Sequence, residues 1–142
     1  MFLLKHQDED IEYELNSGGY VVESDKLYLS IEARGIAKDA FPDTYLFAID
    51  GYSIPEELDD TEVKITTNPL DEPPNVYVYT TFHACEVEAT LRMQACSKDE
   101  LEVSVEILSD DVIYYDDRAK QNLFTGKAKL SVREKSELWL PS

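Results

Sequence analysis

Cys85-Glu-Val-Glu-Ala-Thr-Leu-Arg-Met93, followed after a short break by Leu101-Glu-Val-Ser-Val-Glu-Ile107, is the stretch from which the fold is read. In the first segment Cys85, Val87, Ala89, Leu91 and Met93 alternate with Glu86, Glu88, Thr90 and Arg92. In the second, Leu101, Val103, Val105 and Ile107 alternate with Glu102, Ser104 and Glu106. Successive side chains of an extended strand point to opposite faces, so each segment gathers its apolar residues on one side. Ser97-Lys98-Asp99 between them has turn chemistry. The sequence predicts a β-hairpin with one face on a core and the other in water.

The same alternation extends in both directions. Toward the C-terminus, Phe124 to Arg133 puts Ala128, Leu130 and Val132 inward and Lys127, Lys129, Ser131 and Arg133 outward. The outer face of the 101–107 strand carries Glu102 and Glu106. Opposite charges across adjacent strands contribute roughly 0.2–1 kcal/mol per pair, which predicts that these two strands are antiparallel neighbours. The polar stretch Ser109 to Asn122 is interrupted by Val112-Ile-Tyr-Tyr115, a further candidate strand, and Asp116 to Gln121 suits a helical turn.

Toward the N-terminus, Val76 to Phe82 alternates against Tyr77, Tyr79 and Thr81. Asn68-Pro-Leu-Asp-Glu-Pro-Pro-Asn75 is too rich in proline for a regular element and reads as a surface loop. Glu62 to Thr67 is a strand with Val63 and Ile65 inward. Ser53-Ile-Pro-Glu-Glu-Leu58 suits one helical turn, with Ser53 as its cap and Glu56 three residues on. Tyr45 to Ile49 is a short apolar run closed by Asp50-Gly51, and Gly35 to Asp43 is a loop or a single helical turn. Leu27 to Arg34 alternates as a strand, and Ile11–Leu15 and Tyr20–Glu23 read as two strands joined by a turn at Asn16-Ser-Gly-Gly19.

About eight strands with short connections and no long helix predict one mostly-β domain over residues 1–142. The expected architecture is an antiparallel β-sandwich, or a partly open barrel, with one or two short helical turns. The 43% hydrophobic content is enough for one core.

The charge is unusual. Thirty Asp and Glu face thirteen Lys and Arg, a net of −17. A surface of this sign repels phosphate backbones and anionic lipid headgroups, which argues against nucleic-acid and membrane partners. It suits a basic protein partner. The excess is uneven: eighteen acids and five bases lie in residues 1–72, against twelve and eight in residues 73–142.

Met1-Phe-Leu-Leu-Lys5 gives three apolar residues before a charge, short of the roughly 7–15 of a secretory signal, and no run approaches the roughly 18 needed to span a bilayer. The expected compartment is the cytoplasm. Cys85 and Cys96 flank one strand, too far apart for a disulfide, and suit free thiols in a reducing compartment.

The chemistry of sites yields little. Cys85 with His83 is the one pairing of a nucleophile with a base, but residues two apart on a strand sit roughly 6–7 Å apart, and no oxyanion element or orienting acid accompanies them. Two Cys and two His at scattered positions do not make a zinc site. Phosphate loops, nucleophile elbows and HExxH are missing. The carboxylate clusters Asp8-Glu-Asp10, Asp59-Asp60, Asp71-Glu72, Asp110-Asp111 and Asp116-Asp117 match no EF-hand loop and read as solvated loops, though such acids can hold calcium. Tyr77 with Tyr79, and Tyr114 with Tyr115 between two acid pairs, suit a protein interface as well as ordinary sheet covering.

Size, acidity, cytoplasmic character and the lack of catalytic motifs give the whole chain a profile that resembles the bacterial immunity proteins, small antidotes that mask toxins, many of them basic nucleases. The resemblance implies a non-enzymatic module without cofactor or metal that binds a basic, toxin-like protein through electrostatic steering and occlusion. The residues expected to meet the partner are Asp50, Glu56, Glu57, Asp59, Asp60, Asp71 and Glu72, in a stretch with eight acids and one base, Lys64. Two other readings are a β-sandwich that binds calcium or a small ligand such as a sugar or lipid, and a structural domain that pairs with itself.

Overall fold

The described residues form nine strands: β1 (Phe2–His6), β2 (Glu9–Glu23), β3 (Lys26–Gly35), β4 (Thr44–Ser53), β5 (Thr61–Thr66), β6 (Val76–Tyr79), β7 (Val87–Ser97), β8 (Glu100–Ser109) and β9 (Asn122–Ser131). The computed structural model describes residues 1–6, 9–54, 58–67, 76–80, 84, 86–109 and 122–140. One 3-10 turn, Lys135–Glu137, follows the last strand.

The strands form one sheet in the order β5-β7-β8-β9-β1-β2-β3-β4-β6, and every neighbouring pair is antiparallel. The sheet curls until its edges approach, giving a nearly closed barrel. Ala84 N–H donates to Val78 O at 2.9 Å where the chain leaves β6 for β7, and Tyr52 Oη donates to Lys64 O at 3.4 Å between β4 and β5. All nine strands send side chains into one buried cluster. The expected antiparallel β architecture is therefore present, in its barrel form. Bulges between Leu15 and Ser17, Leu27 and Tyr28, and Ala95 and Ser97 bend β2, β3–β4 and β7 and supply the curvature that closes the sheet.

The hairpin read first is β7–β8, with its turn at Lys98-Asp99. β8 and β9 are antiparallel neighbours, as the opposed charges predicted, with Glu102 opposite Lys129. The barrel interior is strongly aromatic. Tyr45 stacks on Phe124 with ring centroids 3.8 Å apart, Phe2 stacks on the same ring at 5.1 Å, and Tyr13 meets it edge-on at 5.9 Å.

Two local expectations are corrected, at β2 and at Val132. Ile11–Leu15 and Tyr20–Glu23 are not a hairpin but parts of one fifteen-residue strand, β2. Gly18 and Gly19 serve close approach rather than a turn: a Cβ would come within 2.7 Å of Ser30 O at Gly18 and 2.3 Å of Arg133 Cγ at Gly19. Ser53 is the last residue of β4, and residues 55–57 of the expected helical turn lie outside the described residues. The N-terminal residues form β1, a strand held between β9 and β2. Val132 is 41% exposed instead of inward, because β9 ends at Ser131 and the chain turns onto β2 through a parallel bridge to Tyr20.

The Pro-rich loop 68–75, the candidate strand 112–115 and the candidate turn 116–121 lie outside the described residues.

Candidate functional site

The strand directions decide which acids share an end of the barrel. β4 ends, and β5 begins, at the same end of the barrel. Asp50 near the close of β4 and Asp59-Asp60 just before β5 therefore share that end. Glu56, Glu57, Asp71 and Glu72 lie outside the described residues.

Each of the three described acids has a local reason for its position. Ile49 is buried and its neighbour Asp50 faces outward, opposite Tyr28. The bulge there inserts Gly51, whose φ of +86° suits glycine and whose Cα face lies under the Tyr28 ring. Asp60 adopts φ +55°, a left-handed conformation that aspartate tolerates better than most residues. Asp59 Oδ1 accepts the Ala95 N–H at 2.9 Å, and its carbonyl accepts the Thr61 hydroxyl at 3.3 Å. These two bonds pin the start of β5 to the end of β7 and present both carboxylates to solvent.

Beside them runs a surface groove of about 500 Å³ lined by Asp60, Glu62, Arg92, Gln94, Glu102 and Lys127, among others. Its charges are mixed. Glu62 pairs with Arg92 at 3.3 Å and with Lys64 at 3.6 Å, and Glu102 faces Lys129. Glu62 and Glu102 thus have cations beside them, whereas Asp59 and Asp60 form no ion pair with any described residue.

Among the described residues no group of three or more His, Cys, Asp or Glu side chains is placed to hold a metal ion. Cys96 is an exposed free thiol at the end of β7. His83, Cys85, Tyr114 and Tyr115 lie outside the described residues.

The outward placement of Tyr77 and Tyr79 that the alternation predicts is present. Val76 and Val78 are buried and Tyr77 and Tyr79 face outward from β6. Sequence reasoning missed their companions. Tyr28 stands on the same outer face, two strands away, and Trp139 packs 6.4 Å from Tyr79. The alternation in Leu27–Arg34 did mark Tyr28 as outward, but nothing local to Trp139 foretells its seat on a distant strand.

No protein-family model, curated protein or solved structure matches the chain. Among the described residues, no helix is long and apolar enough to cross a membrane.

Proposed function

We propose that the chain is a non-catalytic acidic module that binds a basic protein partner, in the manner of a bacterial immunity protein masking a toxin domain. The observation that carries this reading is the placement of Asp50, Asp59 and Asp60 at one end of the barrel, the latter two without ion pairs among the described residues. With a net charge of −17, such an end attracts a cationic surface over a distance set by ionic strength, and the barrel then covers what it meets. The reading places the protein in the cytoplasm, where Cys96 stays reduced.

The test begins with capture of the partner from the native host and measurement of its association rate against salt. The expected rate falls steeply as salt rises, and Asp59→Lys with Asp60→Lys lowers it at least about tenfold at low salt. A partner with no basic surface, or a rate indifferent to both salt and charge reversal, would overturn the proposal.

A further inference from the structure

The outer face of β3, β4 and β6 is set out in rows by the strand register. Tyr28 stands opposite Asp50, Ser30 opposite Ala48 and Ala48 opposite Tyr77, and Glu32 opposite Leu46 and Leu46 opposite Tyr79. Directly opposed side chains on one face have Cβ atoms roughly 4.5–5.5 Å apart, so these residues make one continuous surface. It combines aromatic rings with carboxylates. The Tyr77 hydroxyl is shifted upward, first by burial and then by the negative charge of Asp50, which puts Asp50 within electrostatic reach of that ring.

The chain's own C-terminal segment already lies on this face. Trp139 N–H donates to Ser30 Oγ at 3.2 Å, and the Trp139 ring sits beside Tyr79. Ser30 and Ala48 point outward yet are buried, and Leu138 is buried with them. At the other end of the same segment, Lys135 Nζ lies 4.2 Å from the centroid of the Tyr28 ring. A protein with a large excess of carboxylates thus places one of its few lysines on an aromatic ring opposite Asp50.

We propose that the Tyr28–Asp50–Tyr77–Tyr79 face, flanked by Trp139, docks an arginine- or lysine-bearing segment of the basic partner, and that Lys135 occupies the place of a partner cation in the free protein. The inference rests on the reading of the chain as a binder of basic proteins and names the surface that reads the cations. Guanidinium and ammonium groups are attracted to tyrosine faces, and a guanidinium can stack on a ring while its edge pairs with a carboxylate. Tyrosine supplies contact area with little loss of side-chain freedom. The segment that covers the face is anchored by the buried Leu138 side chain, one side-chain hydrogen bond, one cation on a ring and one tilted ring pair, and a ligand that takes this face displaces the Lys135 and Trp139 contacts.

The test uses the full chain and a hexa-arginine peptide at low salt. Affinity is read by calorimetry and displacement of the C-terminal segment by fluorescence of Trp139, the one tryptophan in the chain. Saturable binding with a change in Trp139 emission is expected. Lys135 is exposed, so Lys135→Ala leaves the fold intact; it is expected to tighten binding about two- to fivefold by removing the internal competitor. Tyr28→Leu with Tyr77→Leu is expected to weaken binding about tenfold. If the peptide binds but Lys135→Ala leaves both affinity and the emission change unaltered, and Asp59→Lys with Asp60→Lys abolishes binding, the tyrosine face is not the docking surface although the acidic end is. If the peptide binds no variant, including the unsubstituted chain, both readings fall.

Discussion

Glu102 lies directly opposite Lys129, with both side chains on the outer face of the β8–β9 pair. The relationship joins sequence to topology, since complementary charge on two alternating segments marks them as neighbours. Lys129→Glu places two carboxylates across the pair and is destabilising, while exchange of both residues restores the attraction. A double-mutant cycle by urea unfolding is expected to give a coupling of about 0.2–1 kcal/mol, reduced by salt. Glu106 is the internal control. It stands opposite Thr125, so its cycle with Lys129 is expected to be additive. Equal coupling in the two cycles would mean that long-range field, rather than the cross-strand contact, accounts for the effect.

The ring of Phe124 is the centre of the aromatic interior, and its loss removes contacts with Tyr45, Phe2 and Tyr13 at once. Phe124→Ala is expected to cost about 3–5 kcal/mol. Tyr45→Phe should behave quite differently. The Tyr45 hydroxyl, Ser109 Oγ and the Asn122 side-chain amide are buried, with no hydrogen-bond partner among the described residues. Removing the hydroxyl keeps the stacked ring and relieves one unpaired group, so the change is expected to be neutral or stabilising by about 1 kcal/mol. Thermal unfolding of the two variants checks both signs; a loss above about 2 kcal/mol in Tyr45→Phe would show that the hydroxyl is bonded in solution.

The fold was legible wherever one face of a strand is buried and the other wet. Val87–Met93, Leu101–Ile107 and Ala128–Leu130 report their own orientation, and Glu102 with Lys129 even reports adjacency. What the sequence does not announce is curvature. Asn16, Gly51 and Cys96 sit at irregularities of register, and such a residue looks locally like a turn or like nothing at all. Hence the Asn16–Gly19 stretch suggests a turn inside what is one continuous strand, and alternation by itself is common to the sandwich and the partly open barrel. The site was legible in part for a related reason. Asp50, Asp59 and Asp60 are near in sequence and share one end of the barrel, whereas Tyr28 and Trp139 join Tyr77 and Tyr79 only through strand order.

Gly126 offers a sharper test of the register between β1 and β9. A Cβ there would approach Met1 O at 2.4 Å and Phe2 Cδ1 at 2.6 Å, with the Phe2 Cα at 2.8 Å. Two of these three atoms belong to backbone, which cannot step aside without breaking the β1–β9 pairing. Gly126→Ala is expected to cost about 1–3 kcal/mol and to loosen β1, seen as faster amide exchange at Leu3 and Lys5. Gly19→Ala meets the Arg133 side chain first, and that long chain can swing outward, so its cost is expected to be smaller. Equal costs at the two sites would argue that β1 is not fixed in this register.

Alkaline pH probes the same interior from the side of charge. Burial raises the Tyr13 hydroxyl far above the usual tyrosine range, with a lesser contribution from Asp43; the hydroxyl donates to Pro42 O at 2.5 Å. Burial also raises Tyr45. For a group whose folded value lies above its unfolded one, the folded state holds the proton longer. The stabilisation is complete below the unfolded value of about 10 and is lost as pH rises beyond it, by up to about 1.4 kcal/mol per pH unit for each such tyrosine. Urea unfolding at successive pH values should therefore show stability falling above pH about 10. Tyrosinate absorbance should develop in two stages, from exposed rings first and from Tyr13 and Tyr45 only with unfolding. In Tyr45→Phe one of the two buried hydroxyls is gone, so the decline should be shallower than in the unsubstituted chain. An identical slope in both proteins would mean that Tyr45 ionises in the folded state, and that the barrel interior at this ring is open to water.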